Sequence, residues 1–126
     1  REVFMQIKDI RFGMLAPEYR TKRYRAIYSW YCHYLYDRYV LLPSGEITHQ
    51  TRGNPSGQVS TTMDNNMVNT FLQAFEFMYL NKFTLEEAKE KWSEYDTIVY
   101  GDDRISSTPC LPEDYATAVI EMYANI

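Results

Sequence analysis

The 126-residue sequence predicts an α+β fold in which helices outnumber strands and the strands come as hairpins. Three observations carry that expectation. Two long stretches place apolar side chains three or four residues apart, the spacing of an amphipathic helix. A Pro43-Ser44-Gly45 turn separates two short extended runs. The β-branched run Thr97-Ile98-Val99-Tyr100 stops in Gly101-Asp102-Asp103, which reads as a buried strand entering a tight turn.

Taken in order, residues 2–15 alternate weakly and are expected to be helical. Pro17 then opens a stronger helix expected to run to about Val40, with Tyr24, Ile27, Tyr28, Tyr31 and Leu35 on one apolar stripe. Arg20, Lys22, Arg23 and Arg25 cluster on its first turns. They read as a solvated face, with phosphate contact as the alternative. Leu41 to Thr48 reads as a hairpin around the Pro-Ser-Gly turn. The loop Thr51-Arg52-Gly53-Asn54-Pro55-Ser56-Gly57 follows, in residues suited to unusual backbone angles. A second long helix is expected from Ser60 to about Leu80, burying Met63, Met67, Phe71, Ala74 and Met78. Thr84-Leu85-Glu86-Glu87 is a capping box, so a third helix should run from Leu85 to about Glu94. The acidic hairpin, returning from Arg104, comes next. Pro112-Glu113-Asp114 then starts a last helix, with acidic residues at its positive end. No repeat and no low-complexity segment interrupts this order.

Composition narrows the class. The length leaves room for one domain. An apolar content of 45% with 16% aromatics is that of a chain with a core, which argues against disorder. No apolar run reaches the roughly 18 residues of a membrane span. The first residues lack the basic start, apolar middle and small-residue end of a signal peptide. The chain opens without Met and stops at Ala124-Asn125-Ile126 inside an expected helix, so it reads as a piece of a longer protein. Net charge is −4, from 13 basic and 17 acidic residues, which is not the footprint of a free-standing nucleic-acid binder. A nucleic-acid channel could still draw its cations from elsewhere in a longer chain. Cys32 and Cys110 match no zinc or thioredoxin spacing, and His33 and His49 are scattered. A soft-metal site is therefore not expected, and reduced thiols in an intracellular compartment are.

Two constellations bear chemistry. Asp102 and Asp103 are adjacent carboxylates that repel each other, an arrangement suited to neutralisation by a divalent cation. The bland alternative is a surface turn. The second constellation is Asn54-Pro55-Ser56-Gly57-Gln58-Val59-Ser60-Thr61-Thr62-Met63-Asp64-Asn65-Asn66, a Ser-Gly loop opening into a helix N-terminus. Thr61 and Asn65 are four apart and share a face that Asn69 and Gln73 continue. Such a row suits hydrogen bonding to ribose hydroxyls or bases. The simpler alternative is that Ser60 or Thr61 caps the helix and the amides are solvated.

Together and in this order, the two closely resemble viral RNA-dependent RNA polymerases. Ser56-Gly57, Thr61 and Asn65 match that family's Ser-Gly…Thr…Asn pattern, and Tyr100-Gly101-Asp102-Asp103 matches its Gly-Asp-Asp turn. The wording Arg52-Gly53-Asn54-Pro55-Ser56-Gly57-Gln58, Asp64-Asn65-Asn66-Met67 and Tyr100 to Arg104 looks most like astroviruses. The resemblance implies a right-hand polymerase, of which this chain is the palm subdomain plus adjoining fingers helices, incomplete at both ends. It implies that residues 1–126 are a fragment of one catalytic domain. Asp102 would bind catalytic Mg2+ (or Mn2+), with Asp103 beside it. Thr61 and Asn65 would check the ribose 2′-hydroxyl, and Ser56 and Gly57 would form a mobile loop for template and nucleotide. The implied partners are the RNA template, the primer or product strand, NTPs and the rest of the viral polymerase. The implied location is the host-cell cytoplasm, in replication complexes that other viral proteins associate with membranes.

One departure stands out. The family's other metal-binding aspartate lies in an upstream Asp-x4-Asp strand, and this chain lacks it: Asp9 and Asp37 are followed five residues on by Met14 and Leu42. The basic fingers motif and the lysine-bearing segment after the last helix are also missing. The isolated fragment is therefore expected to be inactive, and to need the upstream strand as a neighbour in order to fold. A reverse transcriptase fits less well, since those carry a hydrophobic residue in place of Gly101 and lack the Ser-Gly…Thr…Asn helix. A non-catalytic RNA-binding module with a structural acidic turn is the alternative of a different class.

Overall fold

The structure is a computed structural model and describes residues 1–125; Ile126, the end of the expected last helix, lies outside them. The elements follow the expected order of two helices, a hairpin, two helices, a hairpin and a helix. Each hairpin is a separate two-stranded antiparallel sheet, giving a mixed α+β chain. The chain divides into two compact units, residues 1–68 and 69–126.

The first unit holds α1 (Glu2–Gly13), α2 (Lys22–Tyr36), β1 (Arg38–Leu41), β2 (Ile47–Gln50) and the first two turns of α3 (Thr61–Leu80). Pro17 opens only a short 3-10 turn, Pro17–Tyr19, and α2 begins later. Its N-cap is Thr21, whose hydroxyl accepts from the Tyr24 N–H at 3.4 Å. The expected extension of α2 to Val40 does not occur. Asp37 turns extended, with φ −117° and ψ 93°, and pairs with His49 Nε2 at 2.6 Å across the hairpin. Arg38 then donates to Leu35 O and, at 2.8 Å, to Gln50 Oε1. These contacts reward a strand in register Arg38↔Gln50 to Leu41↔Ile47.

Ile7, Phe12, Cys32 and Leu35 form the apolar core of this unit, with the Phe12 and Tyr28 rings 5.3 Å apart. Of the α2 stripe, Tyr24 and Ile27 are exposed, and only the part from Tyr28 to Leu35 packs inward. The basic cluster is largely solvated as expected, although Arg25 pairs with Asp9 and lies over the Phe12 ring.

The second unit holds the rest of α3, α4 (Leu85–Trp92), β3 (Asp96–Tyr100), β4 (Asp103–Ser107) and α5 (Tyr115–Ala124). Helix α4 opens on the predicted capping box, with Thr84 and Glu87 bonded reciprocally, and ends two residues short of Glu94. Phe77 is buried at the centre of an aromatic cluster, its ring 5.4 to 5.8 Å from Phe83, Trp92 and Tyr95. Trp92 and Tyr95 stack at 4.3 Å.

Two expectations are overturned here. Helix α3 does not bury its Met/Phe stripe: Met63 and Phe71 are about half exposed, while Asp64, Gln73 and Glu76 are among the most buried side chains. The reason is that the polar side meets matching donors, with Lys8 and Arg11 on Asp64, three hydroxyls on Gln73, and Arg104 with two tyrosines on Glu76. A paired buried polar group is tolerated, so apolar patterning alone did not decide which side faces in. The run Thr97–Tyr100 is a strand but not a buried one, because Ile98, Tyr100 and Ile105 share an exposed face of the hairpin. Thr97, Val99 and Arg104 turn the other way and are half-buried.

Candidate active site

The two constellations fall in different units. In the second, Tyr100 pairs with Asp103, leaving Gly101 and Asp102 as a two-residue loop. Gly101 has φ +65° and Asp102 does not take a positive φ, a combination that matches a type II′ hairpin turn. Glycine is required at that first position because a Cβ penalises the left-handed region. The turn leaves both Asp102 and Asp103 exposed.

The backbone behind them is held from α3. Asn69 Nδ2 donates to Gly101 O at 3.3 Å and to Asp102 O at 3.2 Å. Gln73 Nε2 donates to Asn69 Oδ1 at 3.1 Å. Gln73 Oε1 in turn accepts from Tyr95, Thr97 and Ser106 hydroxyls at 3.1, 2.8 and 2.6 Å. One residue past the aspartates, Arg104 grips Glu76 with both guanidinium nitrogens, at 3.2 and 2.6 Å. Tyr115 and Tyr123 each donate to Glu76 at 2.8 Å.

Burial alone would raise the Glu76 carboxyl, but bonds from Arg104, Tyr123 and Tyr115 outweigh it and hold the group below the usual glutamate range. Tyr115 is pushed up to about 12, by burial first and by its bond to the Glu76 carboxylate second.

Asp102 and Asp103 offer oxygen donors, the chemistry a hard divalent cation prefers. Among the described residues no three His, Cys, Asp or Glu side chains converge into a metal cluster. Two carboxylates still fit Mg2+, which is commonly held by one or two carboxylates together with substrate phosphates and water.

In the first unit, Gly57 adopts φ +79° and Ser56 and Gly57 are exposed at the tip of the loop. Thr61 is drawn into the loop: its hydroxyl donates to Pro55 O at 2.6 Å and Gln58 O at 3.1 Å. What it can offer a ligand is therefore its oxygen lone pairs rather than its proton. Asn65 Oδ1 accepts from Asn54 Nδ2 at 2.9 Å, so what Asn65 can offer is its amide N–H groups. Both asparagines line a cavity of about 220 Å³ together with Arg1, Phe4, Tyr36 and Arg52.

Beneath the loop, Asp64 is fully buried and accepts from Lys8 at 2.5 Å, from Arg11, and from Gln58 and Ser60 at 3.1 Å each. Burial raises its carboxyl, and the bonds from Lys8 and Arg11 overcome that and lower it on balance.

Thus the structure brings Ser56, Gly57, Thr61 and Asn65 into one loop-and-helix start, and Tyr100, Gly101, Asp102 and Asp103 into one turn. It withdraws Gln73 from ligand contact, since that side chain is 1% exposed and its oxygen is engaged. The sequence pattern names Asp64 only as part of a motif and gives no role to Glu76, so the support from these two buried carboxylates is visible only in the structure. A usable signal was present in Phe75-Glu76-Phe77, because a lone acid inside an apolar run needs a partner.

The whole chain, residues 1–126, matches the family model described as viral RNA-dependent RNA polymerase. The chain belongs to that family. Among curated relatives it is 52% identical over its full length to the non-structural polyprotein 1AB of mink astrovirus 1. It is 53% identical to that of ovine astrovirus 1 over 99% of the chain, and 56% identical to that of human astrovirus-5 over 98%. The chain spans only 8 to 9% of the length of these polyproteins. No solved structure gives a significant match.

Proposed function

We infer that this chain is part of the catalytic domain of an RNA-directed RNA polymerase, its palm and adjoining fingers helices, within an astrovirus-like polyprotein. The observation that carries this reading is the Gly101-Asp102 turn, which exposes two carboxylates at a hairpin tip whose backbone is tied down from α3. The parent would add NMP from an NTP to an RNA 3′ end on an RNA template. Asp102, with Asp103 beside it, would hold Mg2+ or Mn2+. Bound there, the metal would supply charge stabilisation for the attacking 3′-oxygen and the leaving pyrophosphate.

This chain's residues do the rest by positioning. The loop at Ser56-Gly57 would accommodate template and incoming nucleotide. The Asn65 amide and the Thr61 oxygen would test for a ribose 2′-hydroxyl. A site built to bond a hydroxyl discriminates against the sugar lacking it, because its own polar groups are then left unpaired. The remaining metal ligand and the basic NTP contacts would come from other parts of the parent, so the isolated chain should be inactive. The corresponding place of action is a replication complex in the host-cell cytoplasm.

Primer extension by the full polymerase tests the reading. Asp102→Ala should abolish RNA synthesis, and synthesis that survives would remove the metal role. Asn65→Ala should weaken preference for NTP over dNTP by at least about tenfold while leaving synthesis measurable. Unchanged sugar preference would overturn the role given to Asn65.

A further inference from the structure

We propose that Asn69 and Gln73 are positioning residues for the acidic turn, acting as a two-amide relay that fixes the backbone on which Asp102 and Asp103 ride. The proposal rests on the polymerase reading of that turn.

The Gly101 and Asp102 carbonyls lie at the tip, past the last cross-strand pair, Tyr100↔Asp103. Asn69 supplies a side-chain donor to both carbonyls at once, at 3.3 and 3.2 Å. An asparagine can do this only if its amide is turned the right way, nitrogen toward the turn. Gln73 sets that orientation by placing its own Nε2 donor on Asn69 Oδ1 at 3.1 Å. A flipped Asn69 would set N–H against N–H.

Gln73 is itself locked. Its oxygen accepts three hydroxyls, from Tyr95 ahead of β3, from Thr97 on β3 and from Ser106 on β4. Hydroxyls can donate or accept, but the Gly101 and Asp102 carbonyls only accept, so the Asn69 nitrogen faces the turn and its oxygen faces the Gln73 amide. Asn69 holds the tip of the hairpin, and Gln73 braces Asn69 while bonding hydroxyls ahead of β3, on β3 and on β4. Groups behind a ligand that fix its position commonly alter metal affinity or activity by about 10- to 100-fold when removed.

The test uses the full polymerase with two variants, each compared with wild type in urea unfolding so that a loss of fold is distinguished from a loss of positioning. Asn69→Ala removes the donor to two carbonyls near solvent, where water can replace it. Gln73→Glu keeps an oxygen for the three hydroxyls but removes the donor to Asn69. Asn69→Ala should lower kcat about tenfold, raise the half-saturating Mg2+ concentration by a similar factor and leave the NTP KM within about twofold. In metal-free enzyme it should also speed amide hydrogen exchange of the Tyr100–Arg104 segment, without changing exchange in α4 or α5. Gln73→Glu should move these readouts in the same direction by less. The double variant should match Asn69→Ala alone, since the second residue acts through the first.

Wild-type exchange and Mg2+ dependence in Asn69→Ala would overturn the proposal, as would fully additive effects in the double variant. Asp102→Ala separates the two levels of argument. If it abolishes synthesis while Asn69→Ala is silent, the relay alone fails; if it leaves synthesis intact, the polymerase reading of the turn fails with it.

Discussion

Helix α3 carries two buried carboxylates that solve the same problem differently. Asp64, in the first unit, is neutralised by two cations: Lys8, itself 1% exposed, and Arg11, whose side chain is 27% exposed. Glu76, in the second, faces one cation, Arg104, also 27% exposed, and fills its remaining acceptor sites with the hydroxyls of Tyr115 and Tyr123. The first cluster carries an excess positive charge and the second is neutral. Each sits behind one of the candidate segments, Asp64 beneath the Ser56-Gly57 loop and Glu76 behind β4. What the difference teaches is where each cluster is fragile. Removing the acid from the first strands a buried ammonium; removing it from the second leaves a partly solvated guanidinium and two phenols.

The largest effect should therefore come from Asp64→Asn, which leaves Lys8 buried with no counter-charge. The expected loss is about 3 to 5 kcal/mol of stability, read from urea unfolding of the polymerase. Glu76→Gln should cost less, about 1 to 3 kcal/mol, because Arg104 can recover hydration and the glutamine oxygen can keep one tyrosine. Equal losses would mean that the burial of Lys8 does not set the ranking.

Acid sharpens the comparison. Both carboxyls are held below their ordinary values, so each contributes fully above the usual carboxylate range, about 4, and the contribution fades as pH falls through the depressed folded value. The stability gap between wild type and Glu76→Gln should stay constant down to about pH 5 and close below about pH 4. A gap independent of pH would show that the charge on Glu76 contributes nothing. The smallest effect is local: Gly101→Ala, at φ +65°, should cost about 1 kcal/mol in backbone strain and lower activity without disturbing either carboxylate cluster.

How far this was legible in the sequence depended on how local the cause was. The capping box at Thr84 to Glu87, the Pro43-Ser44-Gly45 hairpin and the Gly-Asp-Asp turn act through neighbours in the chain, and all formed as expected. The end of α2 was missed because Asp37 and Arg38 are drawn out of the helix by His49 and Gln50, twelve residues on. The inward side of α3 departs from its apolar pattern for a stronger version of the same reason. The donors that make Asp64 and Glu76 tolerable inside, Lys8, Arg11, Arg104, Tyr115 and Tyr123, lie 28 to 56 residues away in sequence. In the candidate site, Ser56, Gly57, Thr61, Asn65, Asp102 and Asp103 stood out by motif. Asn69 stood out only as part of a polar face, because its contact with the turn exists only after the hairpin packs on the helix.

On the proposed reading, the exposed pair at the Gly101 turn would hold the catalytic cation. Mn2+ binding to the full polymerase, followed by the loss of its free-ion paramagnetic resonance signal, tests this without requiring turnover. Asp102→Asn should weaken binding by about tenfold or more while the protein unfolds at the wild-type urea concentration. Wild-type Mn2+ affinity in that variant would contradict the account.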